Sequence, residues 1–194
     1  IANSIVQAGV NTMGTDQIAA WGICDKLNML IWLMSDSMGP ALTTFVAQNL
    51  GAKNPERIRK GVIMGTSMSV GAVALISVGL FFFARILTPL FVSSQDAASL
   101  GVLVGTYSRM MAPFFFFYAI AEALSGACCG TGDTVRPMIT TLLAICLLRV
   151  IGILAVLPIY GTMECIVVIY IASWIAAGVS FLALWRFDVA HIYK

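Results

Sequence analysis

Two apolar stretches without any charged residue constrain the fold of this chain more than any other feature. One runs from Gly61 to Ala84 and the other from Cys165 to Trp185. A helix rises ~1.5 Å per residue, so each stretch is long enough to cross most or all of the ~30 Å hydrocarbon core of a bilayer. Of the 194 residues, 60% are hydrophobic and only 10% are charged. A soluble domain carries ~25% charged residues, and the sequence therefore predicts an all-α membrane protein.

The distribution of apolar stretches predicts about six transmembrane helices in one domain, residues 1–194. The predicted spans are 1–13, 18–49, 61–84, 97–129, 137–157 and 165–185. The first is only ~20 Å long as a helix, so we expect it to be the second half of a spanning helix. Pro40 and Pro113 lie inside predicted spans, where proline bends or breaks a helix. Asn54 followed by Pro55 is typical of a helix N-terminus, and we expect the third helix to begin there.

Lysine and arginine residues are divided unevenly between the two alternating sets of loops. One set holds only Arg85. The other set holds Lys53, Arg57, Arg59, Lys60, Arg136, Arg186 and Lys194. Loops rich in lysine and arginine stay in the cytoplasm, so we expect the first helix to run outward and the carboxyl terminus to be cytoplasmic. We expect a multi-pass protein of the cell membrane, in the inner membrane of a bacterium.

Several classes of function are excluded by what the sequence contains. The formal net charge of +2 is too small for a nucleic-acid-binding surface. The single histidine, His191, excludes a histidine-based catalytic triad or a histidine-rich metal site. The five cysteines form no CxxC pair, and we interpret them as small buried side chains. We therefore expect no enzyme, no metal site and no bound cofactor.

Six charged side chains lie within the predicted spans. They are Asp25, Lys26, Asp36, Arg109, Glu122 and Arg149. An unpaired charge in the bilayer costs at least ~2.5–3.5 kcal/mol, so these side chains must face the protein interior, a water-filled cavity or the interface. Lys26 is close enough to a helix end to extend to the interface. For Arg109 and Arg149, a structural pair, hydrogen bonds to carbonyl groups and a functional role all remain open.

The acidic residues among these six are candidates for a cation site. Asp25 and Asp36 are three helical turns apart and share a face with Trp32, so they can line a path for a cation. Glu122 follows Tyr118 by one turn, below a run of aromatic residues, which suits a proton or sodium site or a counter-charge for an organic cation. The alternative for Glu122 is neutralisation by Arg149 or Arg136. The candidate ion-coupling or substrate-binding residues are Glu122, Asp25, Asp36, Tyr118 and Arg149.

Three segments of the chain resemble the multidrug and toxic compound extrusion (MATE) transporters. Asn11 to Ala20 resembles the pattern N-x-x-G-x-x-x-x-A-A that opens the second half of these proteins. Gly39 to Ala52, followed by Arg57, resembles a helix of small residues that ends in Q-N-x-G-A…R. Gly126 to Pro137 resembles the turn G-x-x-x-G-x-G-D-x-x-x-P. The segments occur in the family's order along essentially the whole chain.

This resemblance implies a transporter of twelve helices in two lobes of six helices each. The chain would be most of the carboxy-terminal lobe, and its partners would be the amino-terminal lobe, membrane lipid and a small organic cation. The implied function is secondary active efflux of organic cations and drugs in exchange for transported Na⁺ or H⁺. Two positions depart from the family: Tyr118 stands where some members have an acid, and Cys129 where an arginine is usual. Glu122, Asp25 and Asp36 are thus proposed from the residues and not from the resemblance.

Two alternatives to cation-coupled efflux remain. A flippase for lipid-linked precursors, from the same superfamily, should have a strongly cationic cavity, whereas the charges within the spans are three acids and three bases. A channel or a non-transporting membrane scaffold is the other alternative, but no repeated pore motif is found.

Overall fold

The computed structural model of the protein describes residues 2–93 and 96–192. Ile1 of the first predicted span and the loop cation Lys194 lie outside the described residues. The described part of the chain is almost entirely helical and contains no β-strand. Its helices are α1 (Ala2–Val10), α2 (Thr15–Gly51), α3 (Pro55–Leu87), α4 (Ala97–Met111), α5 (Phe115–Gly130), α6 (Val135–Thr141), α7 (Leu148–Ala155), α8 (Leu157–Tyr160) and α9 (Met163–Ile192). Two 3₁₀ turns, Thr88–Leu90 and Ala112–Phe114, and a π-helical segment, Leu142–Leu147, connect some of them.

Four helical segments of the described residues are long and apolar enough to cross a membrane. They are Pro55–Leu90, Ala97–Gly130, Val135–Tyr160 and Met163–Asp188. The helix α2 has 37 residues, or ~55 Å at ~1.5 Å per residue, but charged and amide side chains interrupt its apolar sequence. The predicted class, an all-α membrane protein, is confirmed. The division into six spans and a single lobe stays a prediction.

Local sequence signals place two of the helix boundaries. The Oδ1 atom of Asn54 accepts a hydrogen bond from the backbone amide of Arg57 (3.1 Å), and Pro55 is the first residue of α3. The predicted start of this helix is therefore confirmed. Pro113 lies in the 3₁₀ turn that separates α4 from α5, as expected for a residue without an amide hydrogen. Pro40 lies inside α2, which continues on both sides of it, so the backbone carbonyl of Asp36 loses its helical partner.

Glycine residues allow α2 and α5 to pack with their backbones in contact. A Cβ atom on Gly126 would lie 2.6 Å from the Cα atom of Gly39, which is closer than real Cβ contacts come. The hydroxyl of Thr43, one turn after Gly39, donates to the carbonyl of Gly126 (2.8 Å). Small residues at a helix crossing are a common way to bring membrane helices together. Two of the three segments that carry the resemblance therefore contact each other here.

The turn between α5 and α6 is attached to the end of α9. Gly132 has a φ of 93°, a conformation that favours glycine. The Asp133 carboxylate accepts hydrogen bonds from the backbone amides of Arg136 and Val135, and the Arg136 amide is the main reason why the pKa of Asp133 is lowered. The Arg136 side chain pairs with Asp133 and also with the buried Asp188 of α9 (2.9 Å).

Two hydrophobic cores fill the two ends of the helical bundle. The larger contains Ile31 of α2, Ala119 of α5 and Trp174 of α9. The smaller contains Leu42 of α2, Ala121 and its neighbours on α5, and Ala177 of α9. The cores meet where α2 and α5 cross, and this level also carries Asp36 and Glu122.

Candidate functional site

A cavity of about 490 Å³ opens beside the crossing of α2 and α5. Its walls come from α1, α2, α5, the π-helical segment, α7 and α9. All five candidate residues from the sequence line it: Asp25, Asp36, Tyr118, Glu122 and Arg149. The remaining lining residues are Asn3, Trp32, Ile145, Cys146 and Tyr170. The structure thus brings the candidates together, while their roles in binding stay predictions.

The α2 wall of the cavity carries Asp25, Trp32 and Asp36, which the sequence places on one helix face. The carboxylate of Asp36 accepts a hydrogen bond from the Tyr118 hydroxyl of α5 (2.8 Å). This bond fixes one oxygen of Asp36 across the gap between the two helices. Asp25 lies about three turns before Asp36 on α2 and lines the same cavity.

Glu122 is half-buried on α5, and its carboxylate makes no hydrogen bond with another described residue. The backbone at Glu122 lies against α2, since a Cβ on Gly39 would be 3.5 Å from the Glu122 carbonyl oxygen. No ion pair within 4.0 Å joins Glu122 to Arg149 or to Arg136 in the described parts of the chain. The alternative of direct neutralisation is therefore not found. Glu122 lines the cavity without an ion-pair partner among the described residues.

Arg149 is buried at 6% exposure and binds neutral groups. Its Nε atom donates to the Ser173 hydroxyl of α9 (3.0 Å), and one terminal nitrogen donates to Asn3 of α1 (3.1 Å). The guanidinium lies 4.0 Å from the ring centre of Tyr170. These contacts hold α1, α7 and α9 together, so Arg149 has a structural role whatever its function.

Aromatic rings form a rigid wall behind the acids. The Trp32 ring meets Tyr118 edge to face at 4.8 Å between ring centres, and it lies 5.7 Å from Trp174. Trp174 in turn contacts Tyr170 at 5.8 Å. Edge-to-face pairs of this kind add to the stability that burial gives. The wall also presents aromatic surface to the cavity through Trp32, Tyr118 and Tyr170.

The other two cations from the predicted spans lie away from the cavity. Lys26 is exposed and extends over the ring of Phe91 (5.8 Å). Arg109 is exposed and lies over Phe81 of α3 (6.0 Å). The six charges are balanced in the sequence, but the cavity itself receives three acids and one arginine.

Sequence reasoning missed the polar residues that Arg149 binds. Asn3 is one of three amides that interrupt the first apolar stretch, and this interruption was a usable signal. Tyr170 and Ser173 lie in a span without charges, where no pattern singles them out. A buried arginine needs hydrogen-bond acceptors, however, so polar side chains on the other apolar helices are candidates for its partners.

The donor groups of the site do not form a metal centre. In the described ranges 2–93 and 96–192, no three residues among histidine, cysteine, aspartate and glutamate are arranged to hold a metal ion. The five cysteines are free thiols.

Comparison with known proteins identifies the family. The family model MatE matches residues 1–154. The chain belongs to the MatE family. The resemblance of its three segments to MATE transporters is therefore confirmed.

Individual relatives are named as probable multidrug resistance proteins or as a transporter. The chain is 24% identical to "Probable multidrug resistance protein YpnP" of Bacillus subtilis over 74% of its own length and 32% of the relative's. It is 26% identical to "Probable multidrug resistance protein NorM" of Thermotoga maritima, over 68% of the chain and 28% of that protein. A protein named "FAD transporter" from Shewanella oneidensis is 28% identical over 47% of the chain and 20% of its own length. The chain thus spans about a third or less of the relatives it matches.

Proposed function

We propose that this chain is the carboxy-terminal lobe of a secondary active transporter that exports small organic cations and drugs in exchange for Na⁺ or H⁺. The observation that carries the proposal is the composition of the cavity, which combines three acids, one arginine and a wall of aromatic rings. Acids attract a cation, and aromatic faces bind organic cations through their quadrupole. No resident cofactor is required beyond the transported ion.

The charge of the cavity favours a cation over an anionic substrate. A flippase for lipid-linked precursors has to hold phosphate groups. A carrier of FAD, the dinucleotide in the name of the Shewanella relative, has to hold them too. Both need several cations around the substrate. Arg149 is the one cation among the lining residues. Its guanidinium already contacts Asn3, Ser173 and Tyr170. A channel or scaffold is not supported either, since the named relatives are transporters and resistance proteins.

In this proposal, Glu122 and Asp36 have different roles in the exchange of ions. Asp36 is held by Tyr118, so it contributes a fixed negative charge. The Glu122 carboxylate has no such partner and can bind a proton, a sodium ion or the organic cation in turn. Both lie where α2 and α5 cross, so a change in the packing of the two helices changes the hydration of both acids.

The location and the partner follow from the same proposal. We place the transporter in the bacterial inner membrane with the carboxyl terminus of the chain in the cytoplasm, supported by the seven-to-one distribution of loop cations. The partner is an amino-terminal lobe of the same transporter. Alternating access in such carriers moves one helical bundle against another around a shared site.

Transport by the full-length protein in proteoliposomes tests the sign of the substrate charge. We expect a sodium or proton gradient to drive transport of ethidium, a fluorescent organic cation, and an excess of a second organic cation to inhibit it. FAD, added as the anionic comparison, is not transported. Gradient-driven transport of FAD without transport of ethidium contradicts the proposal and favours the anion carrier.

A further inference from the structure

An apolar groove of about 410 Å³ lies on the face of the bundle formed by α3 and by the break between α4 and α5. Ala74, Val78, Phe81 and Phe82 form one wall, and Pro113 and Phe116 form the other. None of the residues that line the acidic cavity belongs to this groove. Its volume falls in the range of ~300–1,000 Å³ that is typical of ligand pockets.

Arg109 stands at one end of the groove. Its Nε atom donates to the backbone carbonyl of Phe81 (3.4 Å), which turns the guanidinium toward the Phe81 ring. The side chain is exposed, and no acid lies within ion-pair distance of it in the parts of the chain that the structure describes. Because Nε is used by Phe81, the two terminal nitrogens remain available to an outside acceptor.

Arg109 of α4 lies beside Phe81, near one end of the charge-free part of α3. Phe81 lies twenty residues after Gly61, where the charge-free part of α3 begins, and this distance is ~30 Å. The charge-free part continues to Ala84, so Phe81 and Arg109 lie ~6 Å before its end at Arg85, close enough for the long Arg109 side chain to reach a lipid phosphate. From Phe82 to Ala74 the groove runs ~12 Å back toward the membrane centre, most of the depth of one leaflet.

We propose that this groove binds one anionic phospholipid of the phosphatidylglycerol type. Its acyl chain lies between α3 and the α4–α5 break, and its phosphodiester accepts hydrogen bonds from the terminal nitrogens of Arg109. A planar guanidinium suits two oxygens of one phosphate. Neighbouring side chains on α3 are large, apolar and exposed, including Leu75, Phe83 and Ile86, as befits a surface in contact with lipid tails. The proposal does not depend on the substrate of the cavity or on the orientation in the membrane.

Native mass spectrometry of the purified chain, titrated with phosphatidylglycerol or phosphatidylcholine, tests the site. We expect the wild-type chain to bind one phosphatidylglycerol about fivefold more tightly than phosphatidylcholine, the effect of one basic residue at a membrane surface. Arg109→Gln removes this preference. Lys26→Gln removes another exposed cation outside the groove and leaves the preference unchanged.

A second pair of variants tests the groove without changing charge. Ala74 is exposed inside the groove and Leu75 is exposed outside it. Ala74→Trp fills the groove and is expected to abolish the bound lipid, whereas Leu75→Trp leaves it in place. Equal binding of the two lipids by the wild type, or equal loss of preference in Lys26→Gln and Arg109→Gln, overturns the proposal. The proposal is also overturned if Ala74→Trp changes the fraction of dimer but leaves the amount of bound lipid unchanged.

Discussion

Glu122 is half-buried and, unlike Asp36, has a carboxylate that no described residue holds. Asp36 accepts the Tyr118 hydroxyl, and its charge is therefore committed to a protein contact. An acid without such a contact can exchange a proton or an ion each time its hydration changes. At the scale of single residues, this makes Glu122 the first position to test for coupling.

In the full-length transporter, we expect Glu122→Gln to be expressed normally and to lose gradient-driven efflux of ethidium. The amide keeps the size and hydrogen bonding of the side chain but cannot titrate. Glu122→Asp keeps the carboxylate and is expected to retain part of the activity. Glu164→Gln, which neutralises an exposed acid in the first turn of α9, is the matched control. Wild-type efflux by Glu122→Gln would show that the residue is structural and that coupling depends on Asp25, Asp36 or the other lobe.

Arg149 links three helices, and no acid of the described residues lies within ion-pair distance of it. We expect Arg149→Gln to lower the free energy of unfolding by about 2 kcal/mol, because it removes charge-assisted hydrogen bonds to Ser173 and Asn3. Arg149→Lys should recover only part of this, since an ammonium lacks the planar fork that reaches two acceptors above Tyr170. Thermal unfolding in detergent measures both. Lys26→Gln, at an exposed position, should change stability by less than about 0.5 kcal/mol, and an equally small effect of Arg149→Gln contradicts the structural role.

At the scale of helices, the contact between α2 and α5 depends on the absence of a side chain at Gly126. A Cβ atom there meets the backbone of Gly39, which cannot move aside as a flexible side chain does. We expect Gly126→Ala to destabilise the protein by about 1–3 kcal/mol, as overpacking of a close contact does. The matched control is Gly71→Ala on α3, where a Cβ meets nothing within 4 Å and alanine is the better helix former. Equal melting temperatures of the two variants would contradict this packing.

Much of the helix pattern could be predicted because local chemistry determines it. Asn54 accepts an amide hydrogen bond at the start of α3, and Pro113 removes one between α4 and α5, whatever the rest of the fold does. At the far end of the chain, the predicted span 165–185 is the apolar part of a longer helix, α9, which runs from Met163 to Ile192. Its last residues are polar enough to leave a bilayer but still continue the helix.

The cavity could be predicted in part, because charges in a membrane span have to gather away from lipid. This rule selected Asp25, Asp36, Glu122 and Arg149, and the structure brings all four to one cavity. The rule could not separate Arg149 from Arg109, which lies on the outside of the bundle. That difference depends on which faces of α4 and α7 meet other helices, and single-sequence patterns do not contain it.

At the scale of the whole molecule, the proposed orientation places the cationic loop between α2 and α3 in the cytoplasm. In a variant without the five native cysteines, single cysteines at Arg57 or Lys60 should react with a membrane-impermeant maleimide only after permeabilisation. A cysteine at Glu164, in the first turn of α9 on the opposite side, should react in intact cells. The reverse labelling pattern would show that the chain has the opposite orientation in the membrane. It would not change how the helices pack against each other.

The cavity of this chain is formed on one side by its own helices, and transport in the proposed mechanism requires a second bundle on the other. A site that one bundle lines can bind an ion, but it cannot be closed alternately toward the two sides of the membrane. We therefore expect proteoliposomes with the 194-residue chain alone to show no gradient-driven efflux of ethidium above empty liposomes. The full-length transporter, reconstituted at the same protein-to-lipid ratio, serves as the positive control. Circular dichroism and the binding of ethidium to the isolated chain distinguish a folded lobe that does not transport from a misfolded chain. Gradient-driven efflux by the chain alone, abolished by Glu122→Gln, would show that these helices transport without a second lobe.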